Sequence, residues 1–286
     1  MNPHVQGFFD PSTFTVSYVV HDPATKKAAI IDPVLDFTPR NGRTSTQSAD
    51  ALLRYVDEND LTLDWLLETH AHADHLSAAH YLHEKTGAPI VIGSEITHVQ
   101  GVFGALFEAD DVKPDGSAFG RLVREGETLS LGDLEIGVLH TPGHTPACVT
   151  YLIGDAAFVG DTLFMPDYGT ARADFPGGDA ATLYRSIRKI LALPPQTRIF
   201  VGHDYLPAGR TDYRWETTVA DQKAGNIHAH DGISEAEFVA MRTARDKTLE
   251  APQLILPSLQ VNIRAGAMPP ASPGGHVYFK LPINAI

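Results

Sequence analysis

The chain has 286 residues, 43% hydrophobic and 20% charged, which is enough for a sizeable core and too ordinary a mixture for a disordered or fibrous protein. Its 22 lysines and arginines against 35 acids leave a net charge of −13 with no basic stripe, which argues against nucleic acid as a partner. The single cysteine, Cys148, excludes an internal disulfide and a cysteine zinc cluster.

No basic segment followed by an apolar one opens the sequence, and no apolar run is long enough to cross a bilayer. The expectation is a soluble protein of a reducing compartment, the cytoplasm, with no membrane partner. In chain order, Thr13–Val20 and Ala28–Ile31 read as strands, rich in β-branched and aromatic residues. Across Gln47–Glu58 the positions Ala49, Leu52, Leu53 and Val56 mark one buried helical face. Leu63–Glu68 is the next strand. The run His70-Ala-His72-Ala-Asp74-His75 follows at its carboxyl end, where α/β folds place their chemistry. Beyond it, Ala78–Lys85 and Glu95–Leu106 read as helices flanking a strand at Pro89–Ile92. Glu127–His140, Cys148–Ile153 and Ala156–Val159 read as short strands, and Leu183, Ile187, Ile190 and Leu191 share a helical face. Arg198–Val201 is a strand leading to His203, and Ser234-Glu-Ala-Glu237 is a capping box opening another helix. Two β-rich halves, each joined to helices, predict two facing sheets with helices outside, a four-layer α/β sandwich. Residues 1–250 are expected to form one domain, with 251–286, several prolines among them, packing on it as a segment.

Four ligand-type residues within six, His70, His72, Asp74 and His75, are a metal signal, because a merely polar turn has no need of them. Three more sites share one setting, an apolar run, then glycine, then a potential ligand: Pro142-Gly-His144, Val159-Gly-Asp161 and Val201-Gly-His203. At Gly143 the glycine allows a sharp turn that swings the histidine inward. The set permits two chemistries. Two zincs would generate a bound hydroxide for hydrolysis of an ester, thioester or lactam; one iron would use two histidines and a carboxylate on a face.

These motifs, in this order over nearly the whole chain, resemble the metallo-β-lactamase superfamily. The resemblance implies the αβ/βα sandwich with its site along one edge of the two sheets. In the family's hydrolases His70, His72 and His144 would hold one zinc, Asp74, His75 and His203 a second, and Asp161 would bridge them. The second half resembles the persulfide dioxygenase branch, closest to the bacterial beta-lactamase-like hydrolase type. The matching stretches are Arg172-Ala-Asp174-Phe175, His144-Thr-Pro-Ala-Cys148, His203-Asp204-Tyr205 and Val261-Asn-Ile-Arg264. By that resemblance His70, His144 and Asp161 would hold one Fe(II) per chain. His72, Asp74, His75 and His203 would surround them as catalytic residues. Glutathione persulfide and dioxygen would be the substrates, giving sulfite and glutathione in sulfide detoxification, and a homodimer is compatible with the family.

Arg172, Tyr205 and Arg264 are the candidates for binding the substrate's carboxylates, by guanidinium forks and a phenol. Arg172 could equally sit in an ion pair with Asp174. The runner-up is a dizinc thioesterase of glyoxalase II type, hydrolysing S-acylglutathione. Cys148 is expected to be a buried small hydrophobe.

Overall fold

Antiparallel pairing of β1 (His4–Asp10) with β2 (Thr15–His21) opens the chain in the computed structural model, which describes residues 2–285. β3 (Lys27–Ile31) extends this hairpin, and β4 (Val34–Thr38) and β5 (Arg43–Ser45) form a small ribbon before α1 (Gln47–Glu58). β6 (Thr62–Leu67) runs parallel to β3 and ends just before the histidine run. After that come β7 (Leu76–Ser77), α2 (Ala79–Thr86), β8 (Ile90–Gly93), α3 (Ile96–Leu106) and β9 (Arg121–Val123). The second half lays down β10 (Thr128–Leu131), β11 (Leu134–His140), β12 (Val149–Ile153) and β13 (Ala156–Phe158) as an antiparallel meander. It continues with α4 (Ala180–Leu191), β14 (Arg198–Phe200), β15 (Glu216–Thr218), α5 (Val219–Gly225), α6 (Glu235–Asp246) and α7 (Ile255–Asn262).

Two six-stranded sheets result, ordered β1-β2-β3-β6-β8-β9 and β10-β11-β12-β13-β14-β15, with β5-β4-β7 as a third, small sheet. Side-chain alternation explains the layering. Tyr18, Val20, Ile31 and Leu67 of the first sheet face Ile136, Tyr151 and Phe158 of the second, forming the central core. Their chain neighbours Val19, Ile30 and Leu66 point the other way, against Leu52 of α1, Leu82 of α2, Phe103 of α3 and Leu259 of α7. Ala157 and Ile199 on the outer face of the second sheet meet Leu183 and Ile187 of α4 and Phe238 of α6. The predicted four-layer sandwich is what forms. Strands buried on both faces read as continuous apolar runs for this reason.

α1 has the predicted bounds, and Ser234 and Glu237 cap α6 reciprocally. Cys148 is buried, and burial pushes its thiol up to about 12. Sequence patterning did not reveal β1, the β4–β5 ribbon, β9, β15, α5 or α7. In the tail, Ser258 to Ile263 are buried, and α7 packs on β7. Among the described residues, no helix is long and apolar enough to cross a membrane.

Candidate metal centre

The carboxyl ends of β3, β6, β13 and β14 come to one edge of the two sheets, and each delivers a polar residue straight after an apolar run. β3 delivers Asp32 and β6 delivers Glu68, Thr69 and His70. Gly160-Asp161 follows β13 by one residue, and Gly202-His203 stands in the same place after β14. His144 arrives from the β11–β12 connection through Gly143, whose φ of +131° suits only glycine. A Cβ there would lie 2.2 Å from the backbone nitrogen of Leu183 in α4.

His70 and His144 face Asp161. Their Nε2 atoms stand 4.0 and 3.7 Å from Asp161 Oδ2. The tautomers follow from the hydrogen bonds behind them. Thr69 Oγ1 donates its one proton to Asp32 Oδ2 (2.8 Å), so it accepts from His70 Nδ1–H (3.0 Å). His144 Nδ1–H donates to the Arg172 carbonyl at 2.8 Å. Each imidazole is therefore left with an Nε2 lone pair aimed at the space in front of the carboxylate. His70 Nε2 and Asp161 Oδ1 are buried without hydrogen-bond partners, and burial, with His72 and His144 beside it, holds the His70 imidazole well below its ordinary range. A buried polar cluster with unspent lone pairs is costly unless something accepts them. The donor set of two histidine nitrogens and one carboxylate fits a metal ion, a composition found in both zinc and non-haem iron sites.

The other candidate ligands lie around it in different company. His72 Nε2 is shared between Asp32 Oδ1 (3.0 Å) and Glu68 Oε2 (3.1 Å). Burial alone would depress this imidazole, yet the two carboxylates overcome it and hold it well above the usual range. The Nδ1 of His72 has no partner, and its ligand-distance neighbours are Asp74 and His75, not His70 and His144. His203 Nε2 lies 3.2 Å from Asp74 Oδ2 and 3.4 Å from Asp161 Oδ1, so Asp74, Asp161 and His203 form a further possible ligand group. Burial would raise the Asp74 carboxyl, but His203 and His75 outweigh it and hold it well below the usual range. Thr15 Oγ1 reaches both His75 Nδ1 (3.3 Å) and His203 Nδ1 (3.5 Å), tying the first sheet to the second across the site.

A cleft opens over Asp74, His144 and Asp161. Tyr205 lines it, its ring stacked on His203 at 5.4 Å. Arg172 lines it too, but its fork is spent on Asp174 (2.5 and 2.8 Å) and on the Glu250 carbonyl (2.7 Å). Of its two sequence readings, the ion pair is what forms. Arg264 does not reach the cleft. It pairs with Asp111 at 2.7 Å and lines a separate hollow. The cleft holds instead Tyr168 and the exposed Arg245, which sequence reasoning missed. Among the described residues neither phenol nor the Arg245 guanidinium has a hydrogen-bonding or ionic partner, so all are free for a ligand. Asp32 and Glu68 were also missed, because each follows an apolar run without the intervening glycine that singled out Asp161.

Residues 11–203 match the family model described as metallo-beta-lactamase superfamily. The chain is 55% identical, over 99% of both chains, to a Burkholderia pseudomallei protein named "probable metallo-hydrolase". It is 51% identical to the beta-lactamase hydrolase-like protein of Xylella fastidiosa, of whose length it spans 65%. Mouse mitochondrial persulfide dioxygenase ETHE1 is 32% identical over 92% of this chain and 89% of that protein. Among solved structures, ETHE1 from Myxococcus xanthus superposes with a TM-score of 0.74 at 32% identity, covering 92% of this chain and all of that one.

Proposed function

Because the chain belongs to the metallo-beta-lactamase superfamily, a family of metalloenzymes with persulfide dioxygenases among this chain's relatives, we propose that it is an iron-dependent dioxygenase of glutathione persulfide. The observation that carries this reading is that His70, His144 and Asp161 bring two imidazole nitrogens and one carboxylate together at ligand distance. A dizinc hydrolase site would add His72 to His70 and His144; here His72 Nε2 is held by Asp32 and Glu68 while its Nδ1 has no partner, so the number of ions bound separates the two readings. One Fe(II) held by the triad would supply open positions at which dioxygen is reduced.

Overall, glutathione persulfide, dioxygen and water give glutathione, sulfite and two protons. The sulfur–sulfur bond breaks, the terminal sulfur loses four electrons, and dioxygen gains them. The chain's own residues supply the setting. Asp32 and Arg172 O fix the imidazoles through Thr69 and directly. Asp74, His75 and His203 surround the reacting atoms. Tyr168, Tyr205 and Arg245 would hold the carboxylates of the glutathione tail, each hydrogen bond to an ionised group contributing about 1.5–3 kcal/mol. Asp204 keeps Tyr205 and His203 in place, since Arg210 grips both of its oxygens.

The test is metal analysis and oxygen uptake on anaerobically purified protein. The expected result is about one iron per chain and dioxygen consumption that depends on glutathione persulfide. Iron without persulfide-dependent uptake would overturn the proposal. His72→Gln separates it from the thioesterase, because glutamine still donates to Asp32 and Glu68 but lacks the imidazole nitrogen that would hold a second ion. Iron content should survive; loss of a second metal together with S-lactoylglutathione cleavage would favour the hydrolase.

A further inference from the structure

Beside the polar cleft lies a second cavity of about 350 Å³. Phe103, Phe175, Pro252 and Ile255 are the large apolar side chains among those that line it. Ala73, His144, Arg172 and Pro252 line both spaces, so the two meet at the His144 imidazole. An aromatic series leads there: the Phe103 and Phe175 rings are 5.3 Å apart, and Phe175 is 6.2 Å from His144.

The two spaces are chemically opposite. The cleft offers two free phenols and a free guanidinium. The cavity's charged side chains, Arg172 and Asp174, are consumed by each other and by the Glu250 carbonyl. An ionised tail placed in the cavity would lose water and gain no donor in return. A neutral apolar guest meets no such penalty.

We propose that this cavity is the approach of dioxygen to the metal centre, while the polar cleft receives the persulfide. The inference rests on the dioxygenase reading. Two co-substrates must reach one ion, and an organic tail seated in the cleft obstructs that side. Dioxygen is neutral, apolar and small, so it partitions into apolar space and needs no polar contact to be guided. The cavity is larger than a diatomic requires, which makes it a vestibule rather than a fitted pocket.

Crystals pressurised with xenon, an apolar probe of cavities of this kind, test the assignment without turnover. Xenon is expected between Phe103, Phe175 and Ile255, and its absence there overturns the proposal. Kinetics provide the second arm. Ala251 is exposed at the cavity's mouth, and Ala251→Trp should raise the KM for dioxygen about five-fold with the persulfide KM and iron content unchanged. Ile255→Phe, which also lines the cavity, repeats the test if the first variant folds poorly. An unchanged oxygen KM, or a rise in the persulfide KM instead, overturns the oxygen route while leaving the dioxygenase intact. Wild-type enzyme that consumes no dioxygen overturns both.

Discussion

At Gly143 the backbone does what no other residue could. Its φ of +131° and its contact with Leu183 bring His144 inward, and a methyl group has nowhere to go. Gly143→Ala should cost about 2–4 kcal/mol in urea unfolding and lower the bound metal per chain. Glycine and histidine could be read together at this spot because the turn and the ligand are neighbours in sequence. Asp32 escaped notice since its partners, Thr69 and His72, are some 40 residues away, and nothing local announces them. Arg264 and Arg172 show the converse. A guanidinium is long enough to be claimed by whichever acid folds near it, and Asp111 lies 153 positions before Arg264. His228 carries a pH dependence of its own. Burial, then Arg242 and Arg245, push its imidazole down to about 4, and its Nδ1 accepts from the Thr170 amide at 3.1 Å. An unfolded histidine titrates near pH ~6.5, so between there and about 4 the unfolded chain binds a proton that the folded chain refuses. The contribution to stability is therefore complete above that window and is lost as pH falls through it. His228→Gln should flatten the decline in unfolding free energy between about pH 6.5 and 4 relative to wild type.

Among the elements, α7 has the consequence least visible beforehand. Pro257 in its sequence reads as a breaker, yet it stands in the first helical turn, where the missing N–H has no intrahelical partner to lose. From the far end of this helix Asn262 donates to the carbonyls of His72 and His75, each at 2.8 Å, and accepts from the Ser77 amide at 2.8 Å. A loop crowded with ligands is thus held by a residue that is no ligand. Asn262→Ala leaves three buried backbone groups unsatisfied. It should destabilise the protein by about 2–4 kcal/mol, measured by denaturant titration, and weaken metal retention against a chelator. α1 was legible to the residue because its apolar spacing faces one uniform surface, the outside of the first sheet. β1 was not, because Gly7 interrupts its pattern. The gap exists to admit Trp215, whose Nε1 would lie 2.5 Å from a Cβ.

For the molecule as a whole, the sandwich was readable because its strands are apolar on both faces and alternate between two cores, a pattern that survives without knowing any contact. What joins the halves was not readable: Thr15 touching His75 and His203, and Tyr18 Oη donating to the Val201 carbonyl at 2.6 Å. These ties and the triad place the metal between the two sheets, so an ion bound there stabilises the entire fold. At a hundredfold excess over its dissociation constant it adds about 2.7 kcal/mol, which for a chain of this size shifts the midpoint by roughly 4–5 °C. Scanning calorimetry with and without chelator should show a drop of that order, reversed by ferrous ion.

The grip of Asn262 on the histidine loop also orders events in time. A ribosome delivers residues 70–75 long before residue 262, so the nascent loop waits without its clasp while most of the two sheets assemble. A chain stopped short of α7 would carry every candidate ligand and still lack the side chain that holds the backbone of His72 and His75.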